Sequence, residues 1–339
     1  MGTSTRSFGT ARREGHDASA FYGRRLAAAA FSDDATVADV PRRNINRIYH
    51  HSSEAMAELP DNSVALMVTS PPYHAGKDFD SDVTYPEFLE LLTRVLAEVH
   101  RVLEPGGRAA VNVANLGRKP YLPLSHDVTG IMASLGFHMR GEVIWQKGRG
   151  MSSSCAFGTF ASARNPVLRD IHEYVLIFSK GRMDRVRRGE STITSGEFLA
   201  ATLSVWEIPA ESARRIGHPA PFPVALPRRL IELYTFAGDV VLDPFCGSGA
   251  TAVAAVDAGR RFVGYDTNAA YVALARRRAR EAKAQRVAQA ANGHGQKDSA
   301  PKSKGASPRT SKTKSQSRRP SSSPAAEQMP SSSSAASPP

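Results

Sequence analysis

Cysteine is almost missing from this sequence: Cys155 and Cys246 are the whole complement in 339 residues. Two cysteines so far apart make neither a disulfide framework nor a cysteine-rich zinc site, so no metal is expected. Long apolar runs are missing too. No stretch approaches the roughly 18 residues needed to cross a membrane. The arginine-bearing N-terminus lacks the apolar core of a secretion signal. These absences point to a cytoplasmic chain with no membrane partner. Acid is in deficit, 32 Asp and Glu against 44 Lys and Arg, a net charge of +12. A surplus of that size suits a polyanionic partner.

The surplus is unevenly placed. Residues 285–339 hold nine Lys and Arg against two acids, Asp298 and Glu327. They are otherwise mostly Ser, Pro and Ala. Such a segment buries too little apolar surface to offset its ordering entropy, so a disordered basic tail is expected there. It serves either as an arm for non-specific polyanion binding or as a solubilising extension. Residues 1–43 lack periodicity and read as a mobile arm. Between them, 44–284 carry the apolar content (41% of the whole chain) that one sizeable core needs.

From Asn46 onward strand-like and helix-like stretches alternate. Ile48-Tyr49 opens a strand, and Ser53 can cap a short helix through Leu59. Val64–Val68 is a buried strand. Tyr85–Leu103 repeats apolar residues at three- and four-residue steps, as an amphipathic helix does. Ala109–Val113 is a strand, Leu122–Leu135 a helix, and Phe137–Gln146 a strand. Pro227–Phe236 is helical, and a last long helix runs from Asn268 to about Ala290. This alternation predicts an α/β fold with a mostly parallel sheet and helices on both faces.

Two motifs carry chemistry. The first is Thr69-Ser70-Pro71-Pro72-Tyr73 at the end of the buried strand. Prolines fix φ and remove amide donors, which leaves carbonyls and the Ser70 hydroxyl without ladder partners beside an aromatic ring. Such acceptors can hold a planar base and its amine, although the tetrapeptide alone also fits a plain loop. The second is Asp243-Pro244-Phe245-Cys246-Gly247-Ser248-Gly249-Ala250-Thr251, in which a strand runs into a glycine-rich turn and then an Ala-rich helix. Glycines there allow close approach of a ligand, and the helix start offers free amides. The next strand, Arg261–Asp266, ends in an acid, a common partner for ribose hydroxyls. Cys246 reads as a small residue filling the turn.

Together the motifs resemble those of S-adenosylmethionine-dependent DNA amino-methyltransferases. The catalytic motif precedes the cofactor motif, as in the permuted beta class. The resemblance covers roughly Asn46 to Arg280, including Arg101–Gly107, His172–Lys180 and His218–Pro223. It implies a Rossmann-like methyltransferase fold with circularly permuted motif order, and S-adenosyl-L-methionine as cofactor. It further implies Ser70, Pro71, Pro72 and Tyr73 as catalytic residues. Ser70 Oγ and the Pro71 carbonyl would accept the amine hydrogens, and Tyr73 would stack on a flipped base. Asp243, Pro244, Phe245, Gly247, Ser248, Gly249, Thr251, Asp266 and Phe222 would bind the cofactor. Asp243, Phe245, Gly247 and Gly249 would line its methionine and ribose region, with Asp266 on the ribose hydroxyls and Phe222 on the methionine end. His51-Ser52-Ser53 stands where the family often has Gly-Asp-Ser, so an expected acid contact is missing.

The implied partner is double-stranded DNA, with a possible cognate restriction endonuclease. Segments 148–165 and 182–205 would form the target-recognition surface. Serine at the first catalytic position resembles the N4-cytosine enzymes, with N6-adenine as the alternative. A non-catalytic DNA-binding protein, or a methyltransferase acting on RNA or protein, are competing readings of the same scaffold. Oligomeric state is left open.

Overall fold

The computed structural model describes residues 31–73, 83–116, 120–148 and 158–295, the side chains of 290 and 292–295 excepted. Contacts divide the chain after Gly293. The first unit holds the entire sheet, and the second, His294–Pro339, contributes two described residues.

Among the described residues eight strands form one sheet in the order β1-β8-β7-β2-β3-β5-β4-β6. They are β1 (Arg47–His50), β2 (Val64–Thr69), β3 (Leu103–Val113), β4 (Phe137–Gln146), β5 (His172–Lys180), β6 (Val205–Glu207), β7 (Val240–Asp243) and β8 (Arg261–Asp266). Every strand except β5 runs parallel to the others. The sheet is therefore mostly parallel, as the alternation predicts. β5 escapes that reasoning because it pairs antiparallel with both β3 and β4 and needs no crossover helix.

The helices are α1 (Tyr85–Val102), α2 (Leu124–Ser134), α3 (Ser195–Ala201), α4 (Ala213–Ile216), α5 (Ala225–Tyr234), α6 (Ala250–Asp257) and α7 (Ala269–Gly295). The alternation within each strand decides which face they cover. Leu66 and Val68 of β2 pack with Leu230 of α5, Ala254 of α6 and Val272 of α7. Met67 between them points the other way, to Leu92 and Val99 of α1 and Val128 of α2. Both faces of β2 and β7 are buried, so helices lie on both sides. α1 begins at a capping box, with the Thr84 hydroxyl accepting from the Glu87 amide and the Glu87 carboxylate accepting from the Thr84 amide. Among the described residues no helix is long and apolar enough to cross a membrane.

Several expectations need correcting. Residues 53–59 form turns, not a helix. Their backbone groups go to α1 instead: Glu98 accepts the Met56 amide at 2.9 Å, and Arg101 donates to the carbonyls of Met56 and Leu59 at 3.0 Å. β3 starts at Leu103, earlier than Ala109, because Leu103 already pairs with Val64 ahead of a bulge. Residues 31–43, assigned above to a mobile arm, are docked on the domain. Val40 is buried, the Ala38 amide reaches the Asn62 carbonyl at 3.0 Å, and Arg187 pairs with Asp39 at 2.8 Å. The final helix continues to Gly295, so 285–295 are helical rather than part of a structureless tail. Residues 1–30 and 296–339, the rest of the expected arm and tail, lie outside the described residues, as do Cys155 and 149–157 of the first expected recognition segment.

The sheet order itself places a crevice. β7 leads through α6 to β8 on one side, and β2 leads through α1 to β3 on the other. Neighbouring strands whose connections depart in opposite directions leave a gap outside their carboxyl ends, where ligands of open α/β sheets bind.

Candidate active site

A cavity of about 380 Å3 fills that gap. Ser70, Pro71, Pro72 and Tyr73 line it from the end of β2. Pro244, Phe245, Gly247 and Ser248 line it from the loop after β7, Asp266 from the end of β8, and Phe222 from the segment before α5. Residues from opposite halves of the sequence thus share one wall.

Asp243, Gly249 and Thr251, expected among the cofactor contacts, stand outside the cavity wall. Asp243 Oδ1 accepts from Thr69 Oγ1 at 2.7 Å and from the Phe245 amide at 3.2 Å. It therefore ties the end of β2 to the cofactor loop from behind. Burial raises its carboxyl to about 6, against hydrogen bonds from Thr251 and Thr69 that pull it down. Thr251 Oγ1 also reaches the Val68 carbonyl at 3.4 Å. Gly249 has φ +81°, and a Cβ there would lie 2.7 Å from the Ala275 Cβ. It is glycine so that the start of α6 can pack against α7.

Gly247 is the glycine that faces the cavity. Its φ is +46°, a Cβ there would meet the His218 ring at 2.9 Å, and its amide donates to Asp266 Oδ2 at 2.8 Å. Asp266 Oδ1 accepts the Asn268 amide at 2.8 Å. His218 and Tyr271 hold their ring centroids 4.5 Å apart, and burial lowers the His218 pKa. Cys246 is buried against Gly264 and Ile48, the space-filling role its size suggests.

On the catalytic side the structure adds partners that the motif does not contain. Ser70 Oγ lies 2.7 Å from Tyr73 Oη. Tyr73 Oη donates to Glu173 Oε2 at 3.0 Å, and Asn112 Nδ2 donates to Tyr73 Oη at 2.8 Å and to Glu173 Oε2 at 2.6 Å. Lys147 Nζ pairs with the other Glu173 oxygen. Burial, then the charge of Glu173, pushes the Tyr73 phenol well above its ordinary value, so Tyr73 stays protonated. Glu173 and Asn112 sit on the neighbouring strands β5 and β3, and no spacing rule in the sequence connects them to Ser70. A polar residue inside an apolar strand, such as Asn112 in Ala110-Val111-Asn112-Val113, is the one signal that could have marked them.

The acid missing from His51-Ser52-Ser53 appears one residue later. Glu54 lines the cavity beside those three residues. It accepts from Ser52 Oγ at 2.8 Å and from Arg94 Nε at 2.6 Å, and the Arg94 bond holds its pKa below the ordinary value. Ser53 Oγ donates to the Pro244 carbonyl at 2.9 Å and fixes the cofactor loop from this side.

The second expected recognition segment divides. Arg185 and Arg187 lie at the amino ends of the parallel strands, away from the cavity, where Arg185 is buried between Glu104 and Asp239. They are structural ion pairs, not free cations. By contrast Lys147, just past the carboxyl end of β4, lies on the cavity side of the sheet, where it pairs with Glu173.

A crevice at the switch point of a mostly parallel sheet, walled by a glycine loop and an acid, defines an α/β enzyme for a nucleotide-like cofactor. Comparison with known proteins narrows this. A sequence profile described as DNA methylase, of the N6/N4 type, matches residues 64–277. The Type II methyltransferase M.MthZI of Methanothermobacter thermautotrophicus is 31% identical over 261 residues, covering 66% of this chain and 73% of the relative. M.ScaI of Streptomyces caespitosus is 29% identical, covering 67% and 79%. Among solved structures, a DNA modification methylase of Thermus thermophilus, TTHA0409, in complex with S-adenosyl-L-methionine is 32% identical with a TM-score of 0.57, covering 70% of this chain and 94% of that one. The PvuII cytosine-N4-specific DNA methyltransferase has a TM-score of 0.56 at 23% identity, a likeness of fold. The chain belongs to the N6/N4 DNA methylase family: it is an S-adenosyl-L-methionine-dependent DNA amino-methyltransferase.

The cavity suits that cofactor. Its size is within the range of small-molecule sites. It offers carboxylates for hydroxyl or ammonium groups, aromatic and proline walls for a flat heterocycle, and a cradle at Gly247 that any side chain would fill.

Proposed function

We propose that this enzyme methylates the N4 amine of cytosine in double-stranded DNA. The observation that carries the reading is Ser70 at the cavity wall, with its hydroxyl 2.7 Å from Tyr73 Oη and Asn112 Nδ2 at 3.4 Å. Tyr73 spends its own proton on Glu173, so the Ser70 hydrogen is directed to Tyr73 Oη. The lone pairs of Ser70 Oγ, which Asn112 Nδ2 approaches at 3.4 Å, are left for the amine. With the Pro71 carbonyl they accept the two amine hydrogens and pull the nitrogen out of conjugation with the ring. Serine is a weak base, and holding the amine in line is its main contribution. S-adenosyl-L-methionine, when bound, supplies the methyl group from its sulfonium. As the amine gains that methyl it loses one proton, which Ser70 Oγ receives while its own passes to Tyr73 Oη and onward to Glu173.

Asp266 is assigned to the ribose hydroxyls, Phe222 and His218 to the methionine end, and Gly247 and Ser248 to close backbone contact. Asp243, Gly249 and Thr251 hold that loop in shape. The target base leaves the duplex to reach Ser70, since its amine is otherwise paired, and the Tyr73 ring stacks on it. The loop after Lys147 is assigned to target recognition. The Type II methyltransferases among the relatives favour a partnership with a restriction endonuclease of the same target.

The test is mass spectrometry of nucleosides from unmethylated DNA treated with the enzyme and S-adenosyl-L-methionine. N4-methylcytosine is expected. 6-Methyladenine alone would overturn the base assignment and keep the family.

A further inference from the structure

A second concavity, of about 1000 Å3, lies between β1, the turn before it and α7. It is reached from the amino ends of β1 and β8, whereas the catalytic cavity opens at their carboxyl ends. Its walls hold Arg43, Arg47, Arg276, Arg280, Lys283 and Arg286 and no acid. None of these six forms an ion pair among the described residues. Arg260, also on the groove wall, differs from them in pairing with Glu232, and Arg94, Arg101, Arg185, Arg187, Arg215 and Arg228 outside the groove likewise have carboxylate partners.

Three of the six are fixed in place by neutral groups, Arg47 donating from Nε to the Arg43 carbonyl at 3.3 Å. Arg276 donates to the Ile48 carbonyl at 2.6 Å, and Arg286 donates to the Val256 carbonyl. Arg276, Arg280, Lys283 and Arg286 follow one another at steps of four, three and three along α7, hence on one face. From first to last they span about 15 Å. A DNA strand advances about 3.4 Å per phosphate, so the row spans about four phosphate-to-phosphate steps. Arg43 and Arg47 face it from the other side.

We infer that this groove is a second DNA-binding surface, which grips the phosphodiester backbone of duplex DNA outside the site being methylated. The inference rests on the reading of the enzyme as acting on duplex DNA. A groove whose charged side chains are all cations, six of them without a carboxylate partner, grips phosphates and reads no bases. It raises affinity for any duplex, and with it the time the enzyme spends on DNA between targets.

The test compares the full-length protein with the variant Arg43→Gln/Arg280→Gln/Lys283→Gln. All three residues are exposed, so folding is preserved, and none touches the catalytic cavity. The probe is a 40-base-pair duplex lacking any methylation target, titrated at several salt concentrations. Loss of three phosphate contacts is expected to reduce the slope of log affinity against log salt by about 2.7. Affinity near 0.1 M salt should fall roughly tenfold or more, while methylation of saturating target DNA continues at the same rate. An unchanged slope with methylation intact overturns the groove and leaves the enzymatic reading standing. Loss of methylation in wild type and variant alike, with binding and slopes unchanged between them, overturns both. Loss of binding to single-stranded RNA with duplex binding retained would reassign the groove and overturn its role on DNA.

Discussion

The two ends of the sheet treat charge differently. At the amino ends, Arg185 bridges Glu104 and Asp239 at 2.6 Å each, and Arg187 reaches Asp39 at 2.8 Å. Those side chains pair with one another, although Arg185 Nη2 is left without a hydrogen bond, and Glu104 is 1% exposed. At the carboxyl ends, Lys147, Glu173, Asn112 and Tyr73 are also joined to one another, but the row stops at Ser70 on the wall of a cavity. Both groups are polar networks crossing several strands. The first closes on itself and holds elements together, and the second ends at a group with capacity to spare. An open end, rather than burial or charge, distinguishes the reacting site.

Removing a partner from the closed network should have the largest effect on stability. Arg185→Ala leaves buried Glu104 with only Arg187 at 3.7 Å and buried Asp239 with only the Phe236 amide, and should cost about 3–5 kcal/mol in denaturant unfolding. Activity per folded molecule should not change. A variant as stable as the parent would erase the contrast between the two ends. Ser70→Ala should do the opposite. Turnover should fall on the order of a hundredfold, with melting temperature and cofactor affinity unchanged. Equal losses of cofactor binding and turnover would place Ser70 in the cofactor site instead.

Asp243 lies between these extremes, buried behind the cavity. Its carboxyl is raised to about 6 in the folded protein, above the ordinary 3.8, so folding favours its protonated form. That stabilisation is fully present below about pH 4 and is lost as pH rises through about 6. Asp243→Asn removes the titration and should flatten the pH dependence of stability between pH 4 and 7 by about 1–3 kcal/mol. Parallel curves for variant and parent would sink this account. The smallest effect is expected from Ser53→Ala, which removes the bond to the Pro244 carbonyl. It should cost about 1 kcal/mol, a shift of about 2–4 °C in thermal melting, together with weaker cofactor binding. Weaker binding would distinguish a loop clamp from an ordinary surface serine.

Legibility followed the range of the interaction. Val64–Val68, Tyr85–Leu103 and Val240–Asp243 could be read because period and punctuation are local. Ser53–Leu59 misled because Ser53 looks like a cap and Pro60 like a stop. What decided that segment was Glu98 and Arg101, about forty residues away. Arg185 and Arg187 misled in the same way, since a run of arginines reads as a free basic surface until its acids are located. Glu54 escaped because a motif fixes spacing, while a cavity needs only a carboxylate within reach.

The sequence alone determined the α/β class, the permuted order of the two motifs, and the family to which they belong. Each rests on residues adjacent in the chain. Tertiary structure decided which residues face the cofactor cavity, which stand behind it, and which join Ser70 to Glu173. It also gathered the cations of β1 and α7 into one groove. Those outcomes depend on strand order and on the face each side chain takes. Both are set by packing between segments up to two hundred residues apart, which no local pattern encodes.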